Sequence, residues 1–266
     1  MLSNEFAALL DSPAYDLSSA STPQLPRRIA IPRAEAERIA DSALRLKAPR
    51  RSSADPVDFS VAPAGNLSLV YLAAKRAIDI FGALALLVFL APIMVGTFLV
   101  LLVTTKGRPF FCQERVGYCG RRFWMLKFRT MCLDAACRQA QVANEQDGPV
   151  FKNRRDPRIT RFGRILRSFS IDETPQLFNV LAGQMSLVGP RPPVPSEVAQ
   201  YELWQRQRLA VKPGLTCLWQ VSGRCEIGFE QWVRMDLWYI RNQSLLTDLK
   251  LLLATPASVL SRRGAY

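Results

Sequence analysis

The chain has 266 residues, enough to bury a sizeable core without help from a disulfide or a metal, and its 35 Lys and Arg against 22 Asp and Glu give a formal charge of +13. It contains no histidine, which excludes Ser-His-Asp and Cys-His nucleophiles, histidine-ligated zinc and an imidazole base. The cysteines at 112, 119, 132, 137, 217 and 225 form no CxxC pair and read as reduced packing residues rather than a disulfide framework.

Residues 1–68 balance eight acids against eight bases, so the positive excess lies wholly in 69–266. Such a surface suits nucleic acid, anionic headgroups or a phosphorylated substrate. The N-terminal stretch is rich in Ser, Ala, Pro and Arg, and MLSNEFAALLDSPAY lacks the basic start and apolar block of a signal peptide. It reads as a largely disordered extension over 1–68, with helical spacing only at 34–48.

From Ile80 to Val103 no residue is charged, and at about 1.5 Å per residue this run is long enough to cross a bilayer core. Pro92 sits in its middle, and both flanks are basic, Lys75 and Arg76 before it and Lys106 and Arg108 after it. A proline-kinked span and a re-entrant hairpin over 69–105, with both ends on one face, are the two readings. Beyond it, residues 106–131 turn at Gly107, Gly117 and Gly120, and FWMLKFRTM reads as a strand with its bases on one side. A loop-rich stretch runs to about 155, helical pieces fill 159–183 with a break near Ser170, and LVGPRPPVP (187–195) is a rigid extended loop. Residues 229–242 and 245–260 are amphipathic helices that face either the core or a membrane interface. The fold class expected is α+β, mostly helical.

The chemistry concentrates in SFSIDETPQLFNV, where Asp172 and Glu173 adjoin. Either Ser170 and Glu173 form a capping box, or a helix begins near Thr174 and Pro175; both put the acids at the positive end of a helix. Neighbours on a helix point apart, so the two carboxylates can hold different tasks, one attacking phosphorus and one holding Mg2+ beside substrate phosphates. Arg161, Arg164 and Arg167 upstream and Arg191 downstream supply the neutralising charge that phosphoryl transfer needs, without histidine. A membrane-tethered nucleic-acid binder using the arginines of 154–167 is a rival reading, but it leaves both acids without a task. A noncatalytic assembly protein is another.

The strings KRAIDIFGALALLVFLAPI, QERVGYCGRRFWMLKFRTM, DPRITRFGRILRSFSIDETPQLFNVLAGQMSLVGPRP, KPGLTCLWQVSGR and YIRNQSLLTDLK, in this order, resemble the bacterial sugar transferase family, the monotopic phosphoglycosyl transferases. The resemblance covers roughly residues 70–262. It implies a cytoplasm-facing catalytic domain over 106–266, held at the bacterial inner membrane by a re-entrant helix-break-helix hairpin and interfacial amphipathic helices. It also implies transfer of a sugar 1-phosphate from a UDP-sugar to undecaprenyl phosphate, the first step of exopolysaccharide or glycan assembly, with membrane lipid as a partner, no nucleic acid, and a homo-oligomer left open. By the same resemblance Asp172 is the nucleophile of a covalent intermediate, Glu173 holds Mg2+, Lys127 and Arg167 handle phosphate in catalysis, and Arg191, Arg129 and Arg158 bind phosphate. Residue by residue, Arg129 serves equally as a lipid anchor, and Asp156 and Arg158 as the makers of a turn. Trp204, Trp219, Trp232 and Trp238 read as packing residues before nucleobase contacts, and Asp236 and Asp248 as structural helix charges. Two positions depart from the family pattern: Ala91-Pro92 stands where Ser-Pro is common, and Cys217 where glycine is usual.

Overall fold

The computed structural model describes residues 67–145, 148–151, 153–222 and 228–261. The extension read over 1–68, apart from Leu67 and Ser68, lies outside those residues, as do its helix at 34–48 and Cys225. The described part is mostly helical, with two small two-stranded sheets.

Helix α1 (Leu69–Thr104) opens on Ser68, whose hydroxyl accepts from the Val70 amide at 3.3 Å. It ends where Lys106 and Gly107 take positive φ and the Gly107 amide reaches back to the Leu102 carbonyl. The backbone stays helical through Pro92, so the break expected at Ala91-Pro92 does not divide the helix in two. The proline ring removes one hydrogen bond and leaves the flanking turns helical. Among the described residues α1 is the one helix long and apolar enough to cross a membrane.

One side of α1, through Asp79, Ala83, Thr97 and Leu101, is buried at helical spacing, and the other sides carry exposed Leu, Val and Phe. Both halves dock on the same body. Near the start, Asp79 Oδ1 accepts from the Ser186 hydroxyl at 2.9 Å and the Leu187 amide at 2.8 Å, and Arg76 donates to the Val180 and Leu181 carbonyls. Near the end, Leu101 joins Phe128 and Leu166, with Met94 and Phe98 packed against them. Lys75 and Arg76, read above as a basic flank, are therefore turned into protein: Lys75 donates to the Val188 carbonyl, the Tyr239 hydroxyl and Asp248. Lys106 and Arg108 at the other flank are exposed.

Strands β1 (Phe110–Val116) and β2 (Arg122–Phe128) form an antiparallel hairpin. Phe111 lies opposite Lys127, Gln113 opposite Met125 and Arg115 opposite Phe123, which puts these six side chains on one face. Helix α2 (Arg161–Ser168) is capped by the Thr160 hydroxyl, which accepts from the Gly163 amide at 2.9 Å. A Cβ on Gly163 would stand 2.0 Å from the Thr130 carbonyl oxygen, so only glycine lets α2 sit against the end of the hairpin.

After α2 the chain turns through Ser170 at φ 56° into a single 3-10 turn, Ile171–Glu173, and α3 (Gln176–Leu181) follows Pro175. The break near Ser170 is where the composition placed it. The capping box is not formed: Ser170 makes no side-chain cap, and Glu173 turns elsewhere. Strand β3 (Ser186–Val188) occupies the start of the segment read as extended loop and pairs in parallel with β4 (Gly214–Thr216); α4 (Pro195–Val198) and α5 (Leu203–Arg206) lie between them.

Helices α6 (Leu218–Ser222), α7 (Phe229–Arg241) and α8 (Leu245–Ser261) complete the described chain. The interfacial role open to 229–242 is not the one α7 takes: Phe229, Trp232, Val233, Met235, Asp236, Leu237 and Tyr239 are all buried. Its amphipathic pattern faces a core in which the Trp232 and Trp219 rings pack with centroids 4.3 Å apart. Helix α8 differs, since only Asp248 and Leu251 are buried while Leu245, Leu246, Leu249, Leu253 and Leu260 are exposed.

Candidate active site

The 3-10 turn brings Asp172 and Glu173 under the face of the hairpin that carries Lys127. Glu173 Oε1 accepts from Lys127 Nζ at 2.8 Å and lies 3.5 Å from Arg191 Nη1. Asp172 is 7% exposed, and its carboxylate takes no hydrogen bond or ion pair from any described residue. The two adjacent acids thus point to different surroundings. One is neutralised and the other is left available.

Electrostatics separate them further. Burial, with the Glu173 charge adding to it, pushes the Asp172 carboxyl up to about 6, against the pull of Lys127, Arg167 and Arg191. Burial presses Glu173 upward too, but Lys127 and Arg191 together outweigh it and hold that carboxyl well below its ordinary value. Burial lowers the Lys127 ammonium from its usual range, and the contact with Glu173 offsets part of that. Arg167 is anchored by its Nε, which donates to the Thr130 hydroxyl at 2.9 Å; burial lowers its pKa, while Asp172 heads the acids that support its charge.

The structure gathers Asp172, Glu173, Lys127, Arg167 and Arg191 around this turn and sets two of the expected phosphate contacts apart. Arg158 grips Asp156 through Nε at 2.9 and 3.1 Å and Nη2 at 2.6 Å, also bonds Gln139, and lies over the Phe151 ring. Its guanidinium closes the turn before α2. Arg129 donates to the Arg108 and Phe110 carbonyls at 2.8 and 2.9 Å and lies over the Phe111 ring, so its guanidinium is committed to the start of the hairpin. Arg161 and Arg164 point outward from α2.

As a cation site the dyad is incomplete. No group of three acids, thiols or imidazoles converges among the described residues. Lys127 and Arg191 both meet Oε1 of Glu173, which leaves Oε2 and the Asp172 oxygens as donors. This set fits an ion shared with substrate phosphate oxygens and does not fit one held by protein alone.

A family model described as bacterial sugar transferase matches residues 70–262. The chain belongs to that family. It is 43% identical over 199 residues to the UDP-galactose-lipid carrier transferase of Erwinia amylovora, covering 72% of this chain and 41% of that protein. It is 41% identical over 199 residues to the undecaprenyl-phosphate galactose phosphotransferase of Salmonella typhimurium, covering 72% of this chain and 41% of that protein. The exopolysaccharide production protein ExoY of Rhizobium meliloti is 35% identical over 227 residues, 83% of this chain and 100% of that protein. The chain spans about two fifths of the length of the first two of these relatives and the whole of the third.

Within this sugar transferase chain, three side chains near the dyad escaped the motif reading. Asn179 of α3 accepts from the Leu126 amide at 3.1 Å and donates to the Trp124 carbonyl at 2.8 Å, which ties the helix that follows the dyad to β2 on the residue before Lys127. Arg115 and Arg208 hold the backbone around Arg191. The available signal for Arg115 was parity in the hairpin, since it shares a face with Lys127; Asn179 and Arg208 carried none.

Trp219 and Trp232 are buried packing residues, and Asp236 and Asp248 are ion-paired to Arg208 and Lys75, as their structural reading expected. The Cys217 thiol is buried beside Gln220 Oε1, and burial pushes it well above its usual pKa.

Proposed function

We propose that the protein transfers a sugar 1-phosphate from a UDP-sugar to undecaprenyl phosphate, yielding undecaprenyl diphosphate sugar and UMP, as the first step of exopolysaccharide or glycan assembly at the cytoplasmic face of the inner membrane. The observation that carries this reading is a buried, unpartnered Asp172 beside a Glu173 already neutralised by Lys127 and Arg191. In the first step an Asp172 oxygen bonds the β-phosphorus, and the bond from that phosphorus to the bridging oxygen breaks, so that UMP leaves. In the second, a phosphate oxygen of undecaprenyl phosphate bonds the same phosphorus and the Asp172 carboxylate departs, restoring the enzyme. Neither step needs a proton relay, consistent with a chain that has no histidine.

Arg167 and Arg191 neutralise the phosphates, and Lys127 holds Glu173 ionised and oriented. Glu173 Oε2 and Asp172 would hold Mg2+ together with the diphosphate, and a bound ion would offset the charge of two phosphorylated substrates meeting.

The same reading takes α1 as a re-entrant anchor. Asp79 at one end and Leu101 at the other both contact the one charged body, which cannot itself lie within the hydrocarbon. A straight span would put those ends on opposite sides of the bilayer, about 30 Å apart. The exposed leucines of α8 add a second apolar surface for lipid. Cysteine labelling outside residues 80–103 is expected to find both flanks on one side, and opposite sides would require a span.

The test of the chemistry is to incubate the full chain with Mg2+, undecaprenyl phosphate and labelled UDP-galactose, UDP-glucose or UDP-N-acetylglucosamine. UMP release is expected, with a phosphosugar adduct trapped on the peptide containing Asp172. Release undiminished in Asp172→Asn would remove the nucleophile assignment.

A further inference from the structure

Arg191 reaches Glu173 from a loop whose backbone is held at almost every step. The Val188 carbonyl accepts from Lys75 and the Tyr239 hydroxyl, and the Gly189 amide donates to the Thr216 carbonyl. The Pro190 carbonyl accepts from the Gly214 amide, and the Pro193 carbonyl from the Val116 amide. Gly189 and Gly214 touch backbone to backbone: a Cβ on Gly214 would stand 2.0 Å from the Gly189 nitrogen. Two further carbonyls go to guanidiniums. Arg208 Nη2 donates to that of Arg191 at 3.2 Å, and Arg115 Nη1 to that of Pro192 at 2.8 Å.

These two arginines are not equivalent. Arg208 has Asp236 at 2.6 Å, the Tyr201 hydroxyl at 2.9 Å and the face of Trp232 at 5.1 Å, so its charge is balanced within the core. Arg115 is 7% exposed and has no carboxylate at ion-pair distance among the described residues; beyond Pro192 it bonds only Gln113 Oε1, at 2.7 Å. A buried cation without a counter-ion is unfavourable, and an apolar side chain would fill the same space without that penalty. Burial, with the charge of Arg191 second, lowers its pKa to about 10. The hairpin register places Arg115 on the face that carries Lys127, where Glu197 of α4 and then Glu173 are the acids that support its charge and Arg191 opposes it. Its charge is thus stationed at the site without serving an ion pair of the fold.

We infer that Arg115 is a positioning residue for Arg191: its guanidinium fixes the Pro192 carbonyl, and so the reach of Arg191 toward the point where a diphosphate docks. The inference rests on the reading of Arg191 as a phosphate contact. It takes the charge pattern one layer beyond the residues that touch substrate, and it makes β1 part of the catalytic apparatus.

A double-mutant cycle tests it. Wild type, Arg115→Gln, Arg191→Gln and the double variant are assayed in one detergent for kcat and KM with the sugar nucleotide that the wild type turns over. Thermal melts accompany the kinetics. Arg191→Gln is expected to lower kcat/KM roughly 100-fold and Arg115→Gln roughly tenfold, with the double variant within about threefold of Arg191→Gln alone, because Arg115 acts through a side chain already removed. Losses that simply multiply, or an Arg115→Gln enzyme with wild-type kinetics, would overturn the inference while leaving Arg191 in place. An unimpaired Arg191→Gln would instead sink the reading of Arg191, and this inference with it. Should Arg115→Gln melt below the assay temperature, Arg115→Lys enters the same cycle. It keeps the charge but not the fork, and a loss of roughly threefold, absent in the Arg191→Gln background, is expected. A purely structural defect would lower activity equally in both backgrounds.

Discussion

Asp172 and Asp236 are both buried aspartates that burial pushes up to about 6, yet they sit in regions built to opposite ends. Asp236, in the middle of α7, has Arg208 at 2.6 Å, and burial and charge pairing meet in one close ion pair that joins α7 to the Arg191 loop. Asp172, on a 3-10 turn entered through a strained Ser170, has no such partner, and the cations around it are committed to Glu173, Thr130 or the backbone. A displaced pKa therefore does not by itself mark the reactive acid. In the proposed mechanism, the acid that reacts is set apart by the absence of a partner inside a ring of positive charge.

The largest effect that can break this comparison is on turnover. Asp172→Asn should abolish UMP release by a factor on the order of 1,000 or more while the protein still melts cooperatively, since no contact is lost. Asp236→Asn should do the reverse. It leaves Arg208 buried and unpaired and should cost about 3–5 kcal/mol of stability, with activity falling only as the folded fraction falls. If the asparagine at 172 destabilises as much as the one at 236, the distinction between the two regions fails.

A second effect of similar kind concerns Lys75, which holds Asp248 and the Val188 carbonyl. Lys75→Met should cost roughly 3 kcal/mol, read as a lowered melting temperature in detergent, because it leaves the buried Asp248 carboxylate with the Tyr71 and Tyr239 hydroxyls but without its cation. A variant that melts like the wild type would mean that the contact between α1 and the catalytic body contributes little.

The pH dependence sharpens the contrast with a smaller signal. Because the Asp172 carboxyl titrates higher folded than unfolded, its ionisation penalises the native state as pH rises from about 4 to about 6. Asp172→Asn lacks that penalty. In Mg2+-free buffer the two proteins should melt alike near pH 4, and the variant should lead by on the order of 1–3 kcal/mol above pH 6. A gap that shrinks with rising pH would reverse the sign assigned here. The smallest effect expected is from Arg161→Gln, whose side chain points outward from α2: less than about 0.5 kcal/mol and no more than a twofold change in turnover.

What could be read in advance followed the physics of each feature. The break at Ser170 and the hairpin strand rest on local preferences, and adjacent acids in a basic, histidine-free chain narrow the chemistry sharply. The role of α7 was not legible, because an amphipathic pattern is the same whether its apolar stripe meets a protein core or lipid. Lys75 and Arg76 were misread for a related reason: a cation before an apolar run has the same spelling whether it meets a headgroup or a carbonyl. Strands β3 and β4 are three residues each and pair across 25 or more positions, too short for periodicity and too far apart for local turn rules. Arg115 needed the hairpin register before its neighbours could be named.

The docking of α1 has a practical consequence for anyone seeking a water-soluble fragment. Cutting ahead of Lys106 would discard Lys75, Arg76 and Asp79 together, and with them the donors and acceptor that satisfy Val180, Leu181, Leu187 and Val188 on the body beneath. Such a truncation strips struts from the loop bearing Arg191 as well as removing the long apolar helix, so detergent or nanodisc preparations of the uncut polypeptide are the right material for enzymology.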